Sequence, residues 1–150
     1  MQIETASIDD ANKILNIQKE AFLDQALIYN NYQIPPLTQS LDSIENEFNE
    51  KTFLKVVSKG QIIGSVRFND IDGYVTVDRI VVMPEHQNQG IGTMLLKEIE
   101  SRVPNAVAFQ LFTGNKSKRN IHLYKKMGYK IVKEETTDQG IGLLHMEKRI

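Results

Sequence analysis

The apolar positions of this chain change their period several times along its length, and each change marks an element. Residues 3–6 read as a short opening strand. Ser7, ahead of Asp9 and Asp10, suits a helix start with acidic residues in the first turn. Ala11, Ile14, Leu15, Ala21 and Phe22 then recur at helical spacing, which predicts a helix to about Leu27. Residues 29–36, with paired asparagines and two prolines, break it. A second helix is predicted from near Ser40, with Leu41, Ile44 and Phe48 on one face and glutamates on the other. After Glu50 the period becomes that of strands: residues 53–57 and 62–68 flank the turn Ser58-Lys59-Gly60, and Asp72-Gly73 leads into residues 74–82. Pro84 stops that strand, a polar loop follows, and Gly90 and Gly92 open a helix whose stripe is Met94, Leu95 and Ile99. It ends near residues 102–104. Residues 106–112 form another apolar strand, and Ser117 is placed to cap a helix over about 118–127. Gly128 sits where a left-handed C-terminal residue is expected, and strands over 131–136 and 141–147 finish the chain.

The order is strand, two helices, three strands, helix, strand, helix, two strands. It predicts one α/β domain over residues 1–150, with a single mixed, mostly antiparallel central sheet and helices on both faces. The strand–helix–strand unit over 80–112 should cross over right-handed, which makes its two strands parallel. If those strands splay, the gap between them is a slot open to a ligand.

Composition narrows the functions that fit. The 150 residues are 41% hydrophobic and 25% charged, with a formal net charge of -1, which gives no electrostatic case for nucleic acid or an acidic membrane as partner. There is no cysteine, so disulfides, thiolate zinc sites and a catalytic thiol are excluded. His86, His122 and His145 lack metal-ligand spacing, and no metal is expected. The start of the chain has neither the basic region nor the apolar run of a signal peptide, and no apolar run approaches the roughly 20 residues of a membrane span. A cytoplasmic protein is the expectation.

The glycine loop carries the first chemistry. A strand that feeds a glycine turn into a helix start aims free N–H groups at one point, an anion site suited to phosphate. A dinucleotide fingerprint fails because Leu95 stands where a third glycine is needed, and a P-loop fails because no Gly-Lys-Ser/Thr follows. What remains is Gln87-x-x-Gly90-x-Gly92, which a plain strand–helix connection would also produce.

With its preceding strand, Val81-Val82-Met83-Pro84, this motif resembles the Gln/Arg-x-x-Gly-x-Gly/Ala signature of the GCN5-related N-acetyltransferase (GNAT) family. The resemblance extends over nearly the whole chain. It implies that Gln87, Asn88, Gln89, Gly90, Ile91, Gly92 and Thr93 hold the pyrophosphate of acetyl-CoA, while Val81, Val82 and Met83 meet its pantetheine arm. A later stretch, Leu123-Tyr124-Lys125-Lys126-Met127-Gly128-Tyr129, is similar to the family's tyrosine helix. The resemblance makes Tyr124 the acid that protonates the departing sulfur; taken alone, Tyr124 also reads as core beside Ile121 and Met127. Many members carry asparagine where this chain has Ser117, which leaves Asn115 and Asn120 as candidate cofactor contacts.

A base must deprotonate the acceptor ammonium. Asp78 leads, on the strand that borders the cleft, ahead of Glu85, Glu45 and Glu47. The first helices and their loop would shape the acceptor pocket, with Tyr29 and Tyr32 as candidate lining residues beside Ile34 and Leu37. The acidic tilt of the second helix would suit a cationic amine, although amphipathic helices ordinarily turn such charge outward. The implied activity is acetyl transfer to a primary amine, of a small molecule or a protein, by direct attack in a ternary complex. A non-catalytic acyl-CoA sensor or interaction module is the alternative, and the resemblance also allows a homodimer.

Overall fold

The computed structural model describes residues 1–150. Seven strands form one sheet in the order β1-β2-β3-β4-β5-β7-β6. Strand β1 (Gln2–Thr5) lies at one edge, followed by β2 (Thr52–Ser58), β3 (Gln61–Ile71) and β4 (Tyr74–Val82), all antiparallel. Beyond β4 come β5 (Ala108–Gly114), β7 (Gly142–Arg149) and β6 (Lys130–Thr136) at the other edge. Only β4 and β5 pair in parallel, as the crossover through α5 (Ile91–Arg102) requires. The expected mixed, mostly antiparallel sheet is the one observed.

Helices cover both faces because successive strand residues point to opposite sides. Leu54 and Val56 of β2 face α5 and the core that holds Ile91, Leu95, Leu96, Ile99 and Tyr124. Phe53 faces the other way, into a smaller core with Ala11, Ile14, Leu15 and Ile44. Two helices supply that second face, α1 (Ala11–Ala21) and α4 (Leu41–Glu47), the latter capped by Ser40 accepting from the Ser43 N–H.

Several local expectations are corrected. The first helix does not run unbroken to Leu27: it stops at Phe22, and a separate α2 (Leu23–Tyr29) ends at left-handed Asn30. The stop falls at Asn30 and not at the two prolines, which instead begin a short helix, α3 (Pro35–Thr38), since proline fits the first helical turn. Met94 is exposed, and the buried stripe of α5 is Ile91, Leu95, Leu96 and Ile99. The last helix, α6 (Lys118–Lys126), ends as expected at Gly128, whose φ of +100° a Cβ would disfavour. Ser117 precedes it without capping it: the hydroxyl is buried and donates instead to the side-chain oxygen of Gln25 on α2.

Candidate active site

The site begins where the sheet opens. Strands β4 and β5 pair only at Tyr74↔Ala108, Val75↔Phe109 and Thr76↔Gln110. Beyond Thr76 they part, leaving β4 from Val77 to Val82 without a strand on that side. On its other side β4 carries a bulge. The register with β3 shifts between Arg67↔Asp78 and Ser65↔Val81, so two residues of β4, Arg79 and Ile80, face only one of β3, Val66. Arg79 absorbs the bend with a φ of +52°, a conformation that few residues other than glycine adopt. Val77, Asp78, Arg79 and Ile80, the residues at and just before the bulge, all contribute to the wall of one cavity, although the Val77 side chain packs in the core with Leu95 and Ile99.

Above the bulge the strand is regular again. The Met83 N–H donates to Ile63 O of β3 at 2.8 Å, so alternation turns the Val82 N–H and C=O towards the opening. There the Val82 carbonyl accepts from Gln87 Nε2 at 3.2 Å, and Gln87 Oε1 accepts from Arg119 at 2.7 Å. Val81, by the same alternation, turns its backbone to β3 and is buried; neither it nor Met83 lines either of the two cavities that meet in the opening.

Two cavities meet in the opening and share Phe22, Gln25, Ile80 and Asn120. One, of about 390 Å³, lies at the start of α5. Its floor is Gln87, Asn88, Gly90, Ile91, Gly92 and Thr93; Gln89 points elsewhere and is exposed. The helix begins at Gly90, whose φ of +80° turns the loop, and a Cβ built there would meet nothing within 4 Å. The space above that backbone is open. Gly92 serves packing, since a Cβ would approach Leu123 of α6 to 3.1 Å. Arg119 and Lys126 stand around the same cavity with His86, His122 and Asp24, so two cations and a helix N-terminus converge on it. From the sequence neither Arg119 nor Lys126 is assigned to the cofactor, although for Arg119 the basic run Lys116-Ser117-Lys118-Arg119 carries a signal.

The other cavity, of about 510 Å³, lies between the splayed strands, α2, α3 and the β6–β7 loop. Tyr124 lines it from α6 with only 6% of its surface exposed, and its ring is 6.0 Å from that of Tyr129. Burial alone pushes its phenol well above the ordinary tyrosine value, and no hydrogen bond within the chain opposes that shift. Tyr29 lines the cavity too, as a structural tie: its hydroxyl accepts from the Lys116 N–H at 2.7 Å, and a Cβ at Gly114 would overlap it. Tyr32 is 52% exposed and lies outside the lining. Asn120 lines both cavities, whereas Asn115 lines neither and rests against Gly142.

Asp78 reaches the cavity from a partly buried polar network. Its Oδ2 accepts from Lys51 at 3.0 Å, and Lys51 also donates to Glu47 at 2.9 Å. Glu47 accepts from Arg67 at 2.6 Å, and Arg67, 1% exposed, also donates to Gln18. Burial pushes the Arg67 guanidinium down to about 10. Burial would raise the Glu47 carboxyl, but Lys51, Arg67 and Gln39 outweigh it and hold it below the ordinary value. The acidic tilt of α4 therefore does not face the acceptor cavity: Glu47 turns inward to these cations, and Asp42, Glu45 and Glu50 are not in the lining.

Residues 29–150 match the family model described as an acetyltransferase (GNAT) domain. The chain is 30% identical over 131 residues to the uncharacterized N-acetyltransferase YjcF of Bacillus subtilis, covering 87% of this chain and 91% of that one. Among solved structures, smu.2055 from Streptococcus mutans UA159 superposes with a TM-score of 0.85 at 18% identity, over 99% of each chain. PaiA N-acetyltransferase from Thermoplasma acidophilum, solved in complex with coenzyme A, gives 0.81 at 22% identity over 100% of each. A splayed parallel pair, a bulged central strand and a glycine-opened helix thus sit in a chain that belongs to the GNAT acetyltransferase family.

Proposed function

We propose that the protein transfers an acetyl group to a primary amine by direct attack within a ternary complex. As a GNAT N-acetyltransferase it takes that group from acetyl-CoA. The observation that carries the reading is the meeting of two cavities at Ile80 and Asn120, one cationic at the start of α5 and one lined by a protonated phenol. The first fits coenzyme A, since the open space over Gly90 and the converging cations suit a pyrophosphate.

Gln87, Asn88 and the α5 amides from Gly90 to Thr93 would hold the pyrophosphate, with Arg119 and Lys126 beside it. The Val82 backbone, turned away from β3, would meet the amide-bearing arm as an added strand does. Asn120, shared by both cavities, is the asparagine we assign to the cofactor in place of the family's residue at Ser117. Bound acetyl-CoA supplies an activated thioester carbonyl. The chain holds the acceptor amine in the larger cavity, and the Val82 N–H stabilises the oxygen charge that develops on attack. Asp78 Oδ1, the carboxylate oxygen not engaged by Lys51, receives the ammonium proton directly or through water. Tyr124 keeps its proton at neutral pH and gives it to the departing sulfur.

Calorimetry with CoA and acetyl-CoA, followed by an amine panel read by release of free thiol, tests the reading. Micromolar binding and amine-dependent thiol release are expected. Binding without release from any amine would favour a sensor, and no binding at millimolar CoA would exclude both.

A further inference from the structure

Asp78, Arg79, Lys51, Glu47 and Arg67 form one charge cluster under the larger cavity, and its charges do not balance. Glu47 is paired with Arg67 and Lys51, and Asp78 is paired with Lys51. Within the cluster three cations therefore share two carboxylates, and Asp138, the other carboxylate in the cavity lining, is paired with none of them. The cation left over is Arg79. It forms no ion pair or side-chain hydrogen bond, and only the fields of the already committed Glu47 and Asp78 act in its favour against the burial that depresses its pKa. A half-buried guanidinium without a partner is stabilised when an anion joins it. The bulge at Arg79 and Ile80 brings this residue to the wall of the acceptor cavity and not of the cationic one.

We propose that Arg79 recognises an oxyanion on the acceptor, so that the amine this enzyme takes also carries a carboxylate or a phosphate. The inference rests on the acetyl-transfer reading and names the substrate class within it. A guanidinium offers two parallel N–H donors to either group, which is the geometry that favours arginine over lysine at such sites. The volume of about 510 Å³ suits a small zwitterionic molecule or the end of a short peptide. Asp78 lies next to Arg79 on the same wall. The acceptor's ammonium and its anionic group thus each meet a group of opposite charge, whereas a polyamine would bring further positive charge to a cation without a partner.

The test uses matched ligands on the full chain saturated with CoA, so it does not depend on turnover. One pair is an N-acetyl amino acid and its carboxamide; the other is phosphoethanolamine and ethanolamine. The anionic member of at least one pair is expected to bind about 10-fold tighter or more, and the pair that discriminates identifies carboxylate or phosphate. Arg79→Asn removes the charge while supplying a residue that tolerates positive φ, and it should erase the difference. Arg79→Lys should restore part of it. CoA affinity, measured alongside, should be unchanged in both variants. Equal binding within both pairs, binding of neither member, or discrimination that survives Arg79→Asn would overturn the proposal. Retained discrimination without acetyl transfer to any amine would overturn the enzymatic reading alone.

Discussion

Tyr124→Phe removes one oxygen and leaves the ring, which makes its consequences separable. The ring keeps its place in the core beside Leu95, Tyr129 and Met146, so no cavity forms. The deleted hydroxyl has no hydrogen-bond partner within the chain and is not one of its fully buried polar atoms, so its loss breaks no intramolecular bond and leaves no group stranded. Folding stability should be unchanged to within about 1 kcal/mol, a melting-temperature shift of no more than roughly 2 to 4 °C for a chain of this size. Catalysis should respond far more. A positioned general acid contributes on the order of 10²- to 10⁴-fold, about 3 to 5 kcal/mol of barrier. Linkage gives a second signature. The folded pKa lies above the unfolded value of about 10, so the contribution is fully present below pH 10 and declines as pH climbs towards the folded value. The variant should therefore lose stability less steeply above pH 10. Single-turnover thiol release, CoA titration and melting curves across pH measure all three. A wild-type rate with unchanged CoA affinity would remove Tyr124 as the acid, and a loss of more than about 1 kcal/mol in stability would refute the unpartnered hydroxyl.

Three other perturbations probe the rest of the site. Glu47→Gln should cost about 2 kcal/mol near neutrality; because the folded Glu47 pKa is depressed, its contribution is present above about pH 4.5 and lost as pH falls, so urea midpoints for the variant should be flatter on the acid side. Gly90→Ala should cost about 1 kcal/mol in stability for its left-handed backbone, and, since no protein atom crowds that position, an accompanying fall of about 10-fold in CoA affinity would report the ligand itself. Arg119→Ala should weaken CoA binding several-fold by calorimetry, with the difference shrinking as ionic strength rises.

Elements whose signals are local were legible in the sequence. The turns Lys59-Gly60 and Asp72-Gly73 carry the positive φ that their residue types suggest, and β4 spans 74–82 as its β-branched run predicts. The α5 start at Gly90 and the α6 stop at Gly128 were marked by glycine alone. Features that depend on distant partners were not legible. The sequence Asp78-Arg79-Ile80-Val81-Val82 reads as an unbroken strand, and nothing in it announces the bulge, because arginine is not a residue that advertises positive φ. Nor does it show that Lys51, 27 residues earlier, engages Asp78. Tyr29 and Tyr32 look alike in sequence, yet one is pinned by the Lys116 amide 87 residues away and the other projects into solvent. The break at Phe22 was hidden for a related reason: its spacing suits a continuous helix, and only the tertiary fold separates α1 from α2.

The short pairing of β4 with β5 has a kinetic consequence. The two cavities share Phe22, Gln25, Ile80 and Asn120, with no strand between them past Thr76. A cofactor arm seated along Val82 would itself become one wall of the acceptor cavity. The acceptor would then meet a finished site only after the donor had bound, and the free acetylated product would leave through the same unwalled side before CoA. Steady-state kinetics should accordingly be ordered, with CoA competing against acetyl-CoA alone. The gap in the sheet would thus set the sequence in which molecules enter and leave.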